Sequence, residues 1–213
     1  MKRTVALILL LGSLLAGCVH APPKDLSKFR EANPSSILMV PVVNESVEVT
    51  APDYFLSTVS VPLAERGYYV FPVNLVKRIL EDEGLADASL VHSAPAGKIC
   101  NFFGADSVLY VTIKAWNAQY LVLTTTVNVK LNYAIKDCKT GDTLWEHEQV
   151  MAYTPQSSNT GHPLGNLVAM AITAAVAKAA PNYVPLARQA NALTFFTEGV
   201  AIPLGPYALS EGN

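Results

Sequence analysis

The sequence predicts an α/β fold of the α+β kind: a mixed sheet with helices packed on it and an antiparallel meander in its second half. The run Ser36-Ile-Leu-Met-Val-Pro-Val-Val-Asn44 is continuously apolar until its polar end, which is typical of a strand buried on both faces. Helical patterns alternate with short apolar runs as far as Gly104. From Ser107 onward, apolar and polar residues alternate with a period of two, as in half-buried strands.

Helices and one short strand are expected between the first strand and Gly104. Residues 51–66 place Phe55, Val59 and Leu63 at spacings of four before Gly67, which indicates a helix that ends in a left-handed residue. Pro62 is expected to kink or divide this helix. The other predicted elements are a strand over 68–73, a helix over 74–83 capped by Asn74 and ended by Gly84, and a helix over 94–103.

The second half begins with three successive strands, over 107–116, 127–135 and 143–153. A turn over 137–142, with Gly141 supplying a positive φ, joins the last two. Alternation places Glu146 and Glu148 on an exposed face and Trp145 and His147 on the opposite face.

A long helix is predicted over 163–180, and its run from Leu167 to Ala177 is apolar almost all round. Such a helix is buried, either in the core of its own domain or against another subunit. The packing or interface positions that we predict on it are Leu167, Met170, Ala171, Ala174 and Ala175. Residues 191–207 are apolar and contain Gly and Pro, so they are expected to form an extended segment over the body.

The amino terminus has the organisation of an export signal. Lys2 and Arg3 precede an apolar stretch, and Ala16-Gly17 supplies a small-residue cleavage site, so residues 1–17 are a predicted signal peptide. The apolar stretch is too short to span a membrane. Leu15-Ala16-Gly17-Cys18 resembles the lipobox of bacterial lipoproteins, in which the cysteine receives a diacylglycerol and an acyl chain such as palmitate. This resemblance implies a lipid anchor at Cys18, and several acyl chains on one residue hold a protein firmly in a bilayer.

The domain prediction follows from that cleavage site. Residues 18–34 are polar and contain prolines, so we expect a lipidated tether there and a single globular domain over 35–213. The residue after Cys18 is Val19 and not Asp, which by resemblance to the best-known sorting pattern favours the cell outer membrane. We expect the body to face the periplasm, although these residues leave exposure on the cell surface open.

Charge argues against nucleic-acid binding. The exported chain has 13 basic and 17 acidic residues, a formal charge of −4. Phosphate backbones and anionic headgroups are bound by clustered Lys and Arg, and Lys24 and Lys28 are the nearest approach to a cluster. The sequence therefore indicates no nucleic-acid partner.

Two cysteines remain if Cys18 is lipidated, and the compartment is oxidising. Cys100 lies just before one predicted strand, and Cys138 lies in the turn after the next strand. Because the second strand runs back antiparallel to the first, this turn is expected to lie beside the start of the first strand, near Cys100. A disulfide between them is one interpretation, and two buried free thiols are the other. Neither has a CxxC partner, so zinc binding and redox catalysis are not indicated.

No catalytic motif is present. His20, His92, His147 and His162 lack neighbours at ligand spacing, and alternation separates His147 from Glu146 and Glu148. The sequence contains no GxSxG, HExxH, Walker loop or GxGxxG. We therefore predict no catalytic, cofactor or metal residue, and only a site assembled from distant residues stays open.

Three stretches carry a family resemblance. A hairpin of periplasmic lipoproteins with the pattern D-x-x-T-G-x-x-L-W is similar to Asp137-Cys-Lys-Thr-Gly-Asp-Thr-Leu-Trp145. Their entry into a strand, with the pattern G-A-D-x-V-L, is similar to Phe103-Gly-Ala-Asp-Ser-Val-Leu-Tyr110. Their step from a helix to a strand is similar to Ala64-Glu-Arg-Gly-Tyr-Tyr-Val-Phe-Pro72. The chain thus resembles an uncharacterised Gram-negative lipoprotein family that is known by a domain-of-unknown-function label. Its implied fold is like the amino-terminal domain of TolB, and distantly like the curli-secretion lipoprotein and the lipoprotein activators of penicillin-binding proteins.

The resemblance implies a protein that works by contact and transfers no catalytic residue. We expect a non-enzymatic assembly component of an envelope secretion or transport complex, with other lipoproteins or a secretion pore as partners, and a homodimer or higher homo-oligomer is an expected state. One alternative is a periplasmic regulator of a peptidoglycan synthase, and another is an envelope enzyme. Only 121–135 is long enough to suggest barrel-forming hairpins, so pore formation by this chain alone is not expected.

Overall fold

The computed structural model describes residues 24–120, 125–153 and 183–209, with the side chains of 118–120, 125 and 153 excepted. Its helices are α1 (Ser27–Ala32), α2 (Ala51–Glu65), α3 (Val73–Asp82), α4 (Ala88–Ser93), α5 (Ala96–Asn101) and α6 (Val184–Phe196). Its strands are β1 (Ser36–Met39), β2 (Val43–Asn44), β3 (Tyr69–Val70), β4 (Ser107–Tyr120), β5 (Thr125–Asp137) and β6 (Thr143–Tyr153). The mixed α/β class predicted from the sequence is confirmed.

Within the described residues the six strands form one sheet in the order β3-β1-β4-β5-β6, and β2 also pairs with β4. β1 pairs in parallel with both β3 and β4, whereas β4, β5 and β6 form the predicted antiparallel meander. Gly141 has the positive φ expected of the β5–β6 turn, at 77°. The period-two pattern thus placed all three long strands, although β4 and β5 extend beyond the predicted limits.

The two faces of the sheet have separate apolar cores. Strand β1 contributes to both because its side chains alternate: Ile37 and Met39 join one core, and Leu38 joins the other. Helices α1, α2 and α6 cover the first core, and the shorter helices α3, α4 and α5 cover the second. All four side chains of β1 are buried, as its apolar run predicted.

The folded body begins earlier than the predicted tether allows. Residues 27–32 form helix α1, and Phe29 is only 2% exposed in the first core, where its ring meets Tyr68 edge-on at 6.2 Å. The prediction of a tether through residue 34 is therefore wrong at its carboxyl end. A single aromatic residue in a polar stretch carries too little periodicity to predict a helix, but its burial fixes this segment to the body.

The predicted helices need smaller corrections. α2 runs from Ala51 to Glu65 without division at Pro62, and Gly67 follows it with φ 87° as expected. α3 begins at Val73, and its N-cap residue is Pro72 and not Asn74. The region predicted as one helix over 94–103 contains the shorter α5, and α4 precedes it with Asp87 capping the N–H of Ser89 at 2.7 Å.

The carboxyl-terminal segment is a second correction, because residues 191–196 belong to helix α6 and are not extended. Asn191 is 1% exposed and bonded on both sides: Tyr133 Oη donates to its Oδ1 at 3.3 Å, and its Nδ2 donates to Thr58 Oγ1 at 3.0 Å. These contacts join α6, β5 and α2. The chain lies over the body as predicted only after Phe196, where Ile202 is buried and Gly205 N–H donates to the carbonyl of Arg66.

Two links stabilise the end of the sheet where β1 and β4 begin and where the β5–β6 turn lies. One is a disulfide, and the other is a carboxylate that accepts several hydrogen bonds. Cys100 of α5 and Cys138 of the β5–β6 turn form a disulfide with Cα atoms 5.8 Å apart. Asp106 receives hydrogen bonds from the backbone N–H groups of Ser35 and Ser36, each at 3.0 Å, and from both serine hydroxyls. Asp106 thereby joins the start of β4 to the start of β1.

Candidate interaction surface

The meander has a face that no described helix covers. Helices α3–α5 lie over β1, β2 and the beginning of β4, so the side chains farther along that face remain accessible. We call these side chains the open face: Thr112, Lys114, Lys130, Asn132, Ala134, Glu146, Glu148 and Val150. The sequence predicted this wet face through the alternation of its strands.

The open face is polar and carries balanced charge. Lys114 Nζ lies 2.7 Å from a carboxylate oxygen of Glu45, and Lys130 Nζ lies 2.9 Å from Glu148. Side chains in both pairs are between 37% and 49% exposed, so each pair contributes little to stability in water. Glu146 is exposed beside them. The surface can therefore offer both signs of charge to a partner.

A cleft of about 420 Å³ lies where the helical layer ends on this face. Tyr110, 7% exposed, and Asn132 line it. The Tyr110 hydroxyl and Asn132 Oδ1 are buried and have no hydrogen-bond partner among the described residues. His92 packs edge-on against the Tyr110 ring at 5.0 Å, and burial raises the pKa of Tyr110. The cleft can accommodate water or a polar group that satisfies these atoms.

β6 forms one edge of the sheet, and the half near its start is covered. Helix α1 packs there, and Lys24 Nζ donates to the carbonyl of Glu146 while lying 5.5 Å from the Trp145 ring centroid. Partial burial is the main reason that the pKa of Lys24 is lowered. Over residues 147–153, which we call the free edge, no strand in the described parts of the chain pairs with the outer side of β6.

The one sequence cluster that suggests acid–base chemistry is separated as predicted. Glu146 and Glu148 are exposed on the open face, whereas His147 lies on the other face, 3.2 Å from Gln149. Desolvation lowers the pKa of His147 and favours its neutral form. His92 bonds the carbonyl of Pro41 at 3.0 Å. Across the described ranges, no group of three or more His, Cys, Asp or Glu side chains could hold a metal ion.

Several predicted residues lie outside the described residues: Cys18, His20, His162, and the helix positions Leu167, Met170, Ala171, Ala174 and Ala175. Their roles stay predictions. Of the helices that the structure does describe, none is both long enough and apolar enough to cross a membrane.

The sequence analysis did not predict the cleft or the free edge. The edge had an available signal, since the last strand of a meander has a neighbour on one side only.

The fold is that of a mixed α/β domain with an accessible polar sheet face, and the comparisons place it in a lipoprotein family. Residues 24–201 match the family described as "Putative lipoprotein GNA1162-like", so the chain belongs to that family. The match begins at Lys24, where the structure also places ordered contacts of the body. The lipoprotein resemblance predicted from the sequence is thereby confirmed.

Two relatives from Neisseria meningitidis agree with this assignment, and a second solved structure is more distantly similar. A Neisseria meningitidis serogroup B protein, "Putative lipoprotein NMB1124/NMB1162", is 35% identical over 152 residues, which are 71% of this chain and 70% of the relative. The crystal structure of lipoprotein GNA1162 from Neisseria meningitidis is similar with a TM-score of 0.55 and 32% identity, covering 70% of this chain and all of that one. A PelC dodecamer from Paraburkholderia phytofirmans has a TM-score of 0.42 and 16% identity, over 74% of this chain and 91% of its own.

Proposed function

We propose that this protein is an outer-membrane lipoprotein, acylated at Cys18 with its body in the periplasm, and that it acts as a non-enzymatic assembly component of an envelope secretion or transport complex. Its partners are other envelope lipoproteins or a secretion pore. The observation that carries the proposal is the open face, a polar sheet surface with paired charges that the described helices leave accessible. Membership of a lipoprotein family supports the anchor.

Because the folded body begins close to Cys18, the length of the tether limits which partners the protein can contact. Only six residues, Cys18 to Pro23, separate the predicted lipid from Lys24, and they span at most about 20 Å when fully extended. Because Lys24 contacts Trp145 and Glu146, the start of β6 is the membrane-proximal part of the body. This short reach favours partners at the same membrane over the alternative of a synthase regulator that crosses the periplasm.

Site-specific photocrosslinking in intact cells tests this proposal. A photoreactive residue is placed in the full-length chain at Ala134 or Lys114 of the open face, and at Leu193, which is 39% exposed on α6, as the control. We expect the same envelope protein to be captured from both open-face positions. The Glu148→Lys variant is expected to reduce that capture at least fivefold, because it reverses one charge of the Lys130–Glu148 pair.

The control decides the outcome. Equal capture of the same protein from Leu193, or capture that is indifferent to Glu148→Lys, would show that the open face is not the contact surface. Absence of any adduct from all positions would contradict the assembly role itself.

A further inference from the structure

We infer that the free edge of β6 pairs with the same edge of a second copy, antiparallel and centred on Val150, so that two sheets join into one. This inference rests on the proposed membrane anchoring and names one partner within the proposed assembly. Four features of the edge carry it: how its backbone groups are satisfied, what its side chains are, which register their charges permit, and where the anchors lie.

The backbone groups of the even-numbered residues point away from β5. Two of their carbonyls are bonded to side chains: Glu146 accepts from Lys24 Nζ, and Val150 accepts from Gln149 Nε2 at 3.3 Å. Residues two apart in a strand direct their backbone groups to the same side, so the N–H and C=O of Glu148 and Ala152 point outward as well. The edge therefore presents a regular row of groups, and the contact at Val150 is long for an N–H···O hydrogen bond.

Among the described residues, the side chains of the far half of β6 do not protect this edge. Natural edge strands are usually blocked by charge, proline or a covering element. Glu146 and Glu148 and the contacts of Lys24 lie toward the start of β6, whereas Gln149 to Ala152 carry no charge. Val150 is 62% exposed. An uncharged strand segment of this kind, with Val150 exposed at its centre, is a template for another strand.

Charge and apolar matching together favour one register and a second copy of this strand as the occupant. Centring the pair on Val150 places each Glu148 opposite an Ala152, and each Gln149 opposite a Met151, so no like charges meet. Centring it on His147 would place Glu146 opposite Glu148, which is unfavourable. Centring it on Gln149 would also keep the carboxylates apart, but it would place each charged Glu148 opposite an apolar Val150. Centring it on Val150 pairs the two exposed valines with each other, as a two-fold symmetric contact allows.

Anchoring supplies the concentration that a short contact needs. Glu146, which Lys24 contacts, lies four residues from Val150, so the two Glu146 carbonyls would be roughly 26 Å apart along the strands. Two tethers of at most about 20 Å can then reach one bilayer. Tethering to a shared surface raises the effective concentration of a weak partner, because the second contact no longer requires free diffusion.

Cysteine crosslinking in cells tests the pairing with the full-length chain. In this register, Val150→Cys brings two thiols together with Cα atoms about 5.5 Å apart, within the range of disulfides. The new thiol is unpaired, since Cys100 and Cys138 are already joined. On non-reducing gels of envelopes we expect a covalent homodimer at least tenfold above that of Val47→Cys, a control that is 86% exposed in a loop.

Further cysteine variants test the register, and acylation of the amino-terminal peptide shows whether the pairing or the proposed anchoring has failed. Ala152→Cys alone is expected to give no dimer, and Glu148→Cys combined with Ala152→Cys is expected to restore it. A Val150→Cys chain that stays monomeric, dimerises no more than Val47→Cys or links to a different protein overturns the inference. If the amino-terminal peptide of that same sample is acylated, the proposed anchoring stands while the pairing falls; if it is not, the anchoring falls too.

Discussion

At the scale of single residues, the fold depends on a few polar groups that meet the backbone at element ends. Asp106 is the most connected of these. Desolvation, the largest single influence, raises the pKa of its carboxyl group, but the hydrogen bonds from Ser35 and Ser36 together outweigh it and leave the pKa below its ordinary value. The ionised carboxylate therefore holds β1 against β4 at neutral pH.

Asp106→Asn is expected to lower the free energy of unfolding by roughly 1 kcal/mol at pH 7, since a charged acceptor is lost at a partly exposed site. Because the folded pKa is depressed, this contribution is complete above about pH 5 and disappears as the pH falls below about 4 toward the folded pKa. Urea unfolding of both proteins from pH 7 to pH 3 measures the gap. An undiminished gap at pH 3, or an equal effect of Glu83→Gln at an exposed site, would contradict this role of Asp106.

Gly67 provides a second test at this scale. Its φ is 87°, and a Cβ atom there would overlap the backbone N of Ala208 in the segment that crosses the end of α2. Gly67→Ala is therefore expected to cost more than 2 kcal/mol and to expose residues 203–209 to proteases. Gly84→Ala, where φ is 80° but nothing lies within 4 Å, is expected to cost only about 1 kcal/mol. Equal costs in thermal unfolding would exclude the overlap as a cause.

At the scale of elements, the sequence predicts the strands in which one alternating pattern continues over many residues. It does not predict the helices whose packing depends on single contacts. The strands predicted over 107–116, 127–135 and 143–153 repeat one pattern over many residues, so the faces of β5 and β6 were predicted correctly. In β4 the register shifts between Ile113 and Ala115, which places Trp116 and not Ala115 in the core with Ile113. Phe29 is the one fully buried residue of helix α1, and α6 buries the polar Asn191, so neither contact belongs to a long apolar pattern. The free edge is defined by the absence of a pairing strand among the described residues, and its one sequence signal is that β6 is the last strand of the meander.

Replacing Asn191 tests the bonds that join α6, β5 and α2. Asn191→Ala leaves the Tyr133 hydroxyl and Thr58 without their bonded amide in the core, so we expect a loss of about 2 kcal/mol in the free energy of unfolding. Gln189→Ala, at an exposed position of the same helix, is expected to change it by less than about 0.5 kcal/mol. Urea unfolding that finds the two variants equally stable would show that these bonds contribute nothing.

The disulfide has a separate contribution. It closes a loop with a sequence separation of 38, and the chain-entropy model assigns about 4 kcal/mol to a loop of that length. The double variant Cys100→Ser and Cys138→Ser is expected to lose stability of that order, and reductant is expected to destabilise the unaltered chain alone. Reductant that destabilises the double variant equally would point to a cause other than this bond.

At the scale of the whole molecule, the predicted anchor and the open face together account for the proposed role. The lipid at Cys18 and a tether of six residues would keep the body at one membrane surface. Under the proposed anchoring, the start of β6 would lie on the membrane side, and the open face and free edge would extend from it. A protein arranged in this way would meet its proposed partners within a thin layer, where tethering raises the effective concentration of weak contacts.

Mass analysis of the amino-terminal peptide from the natively expressed chain tests the central claim most directly. Trypsin cleaves after Lys24, so the peptide that begins at Cys18 is expected to carry a diacylglycerol and an acyl chain, and the protein is expected in the outer-membrane fraction. The Cys18→Ser variant is expected to lack this modification. An unmodified Cys18 thiol, or an unaltered protein released freely into the periplasm, would contradict the account.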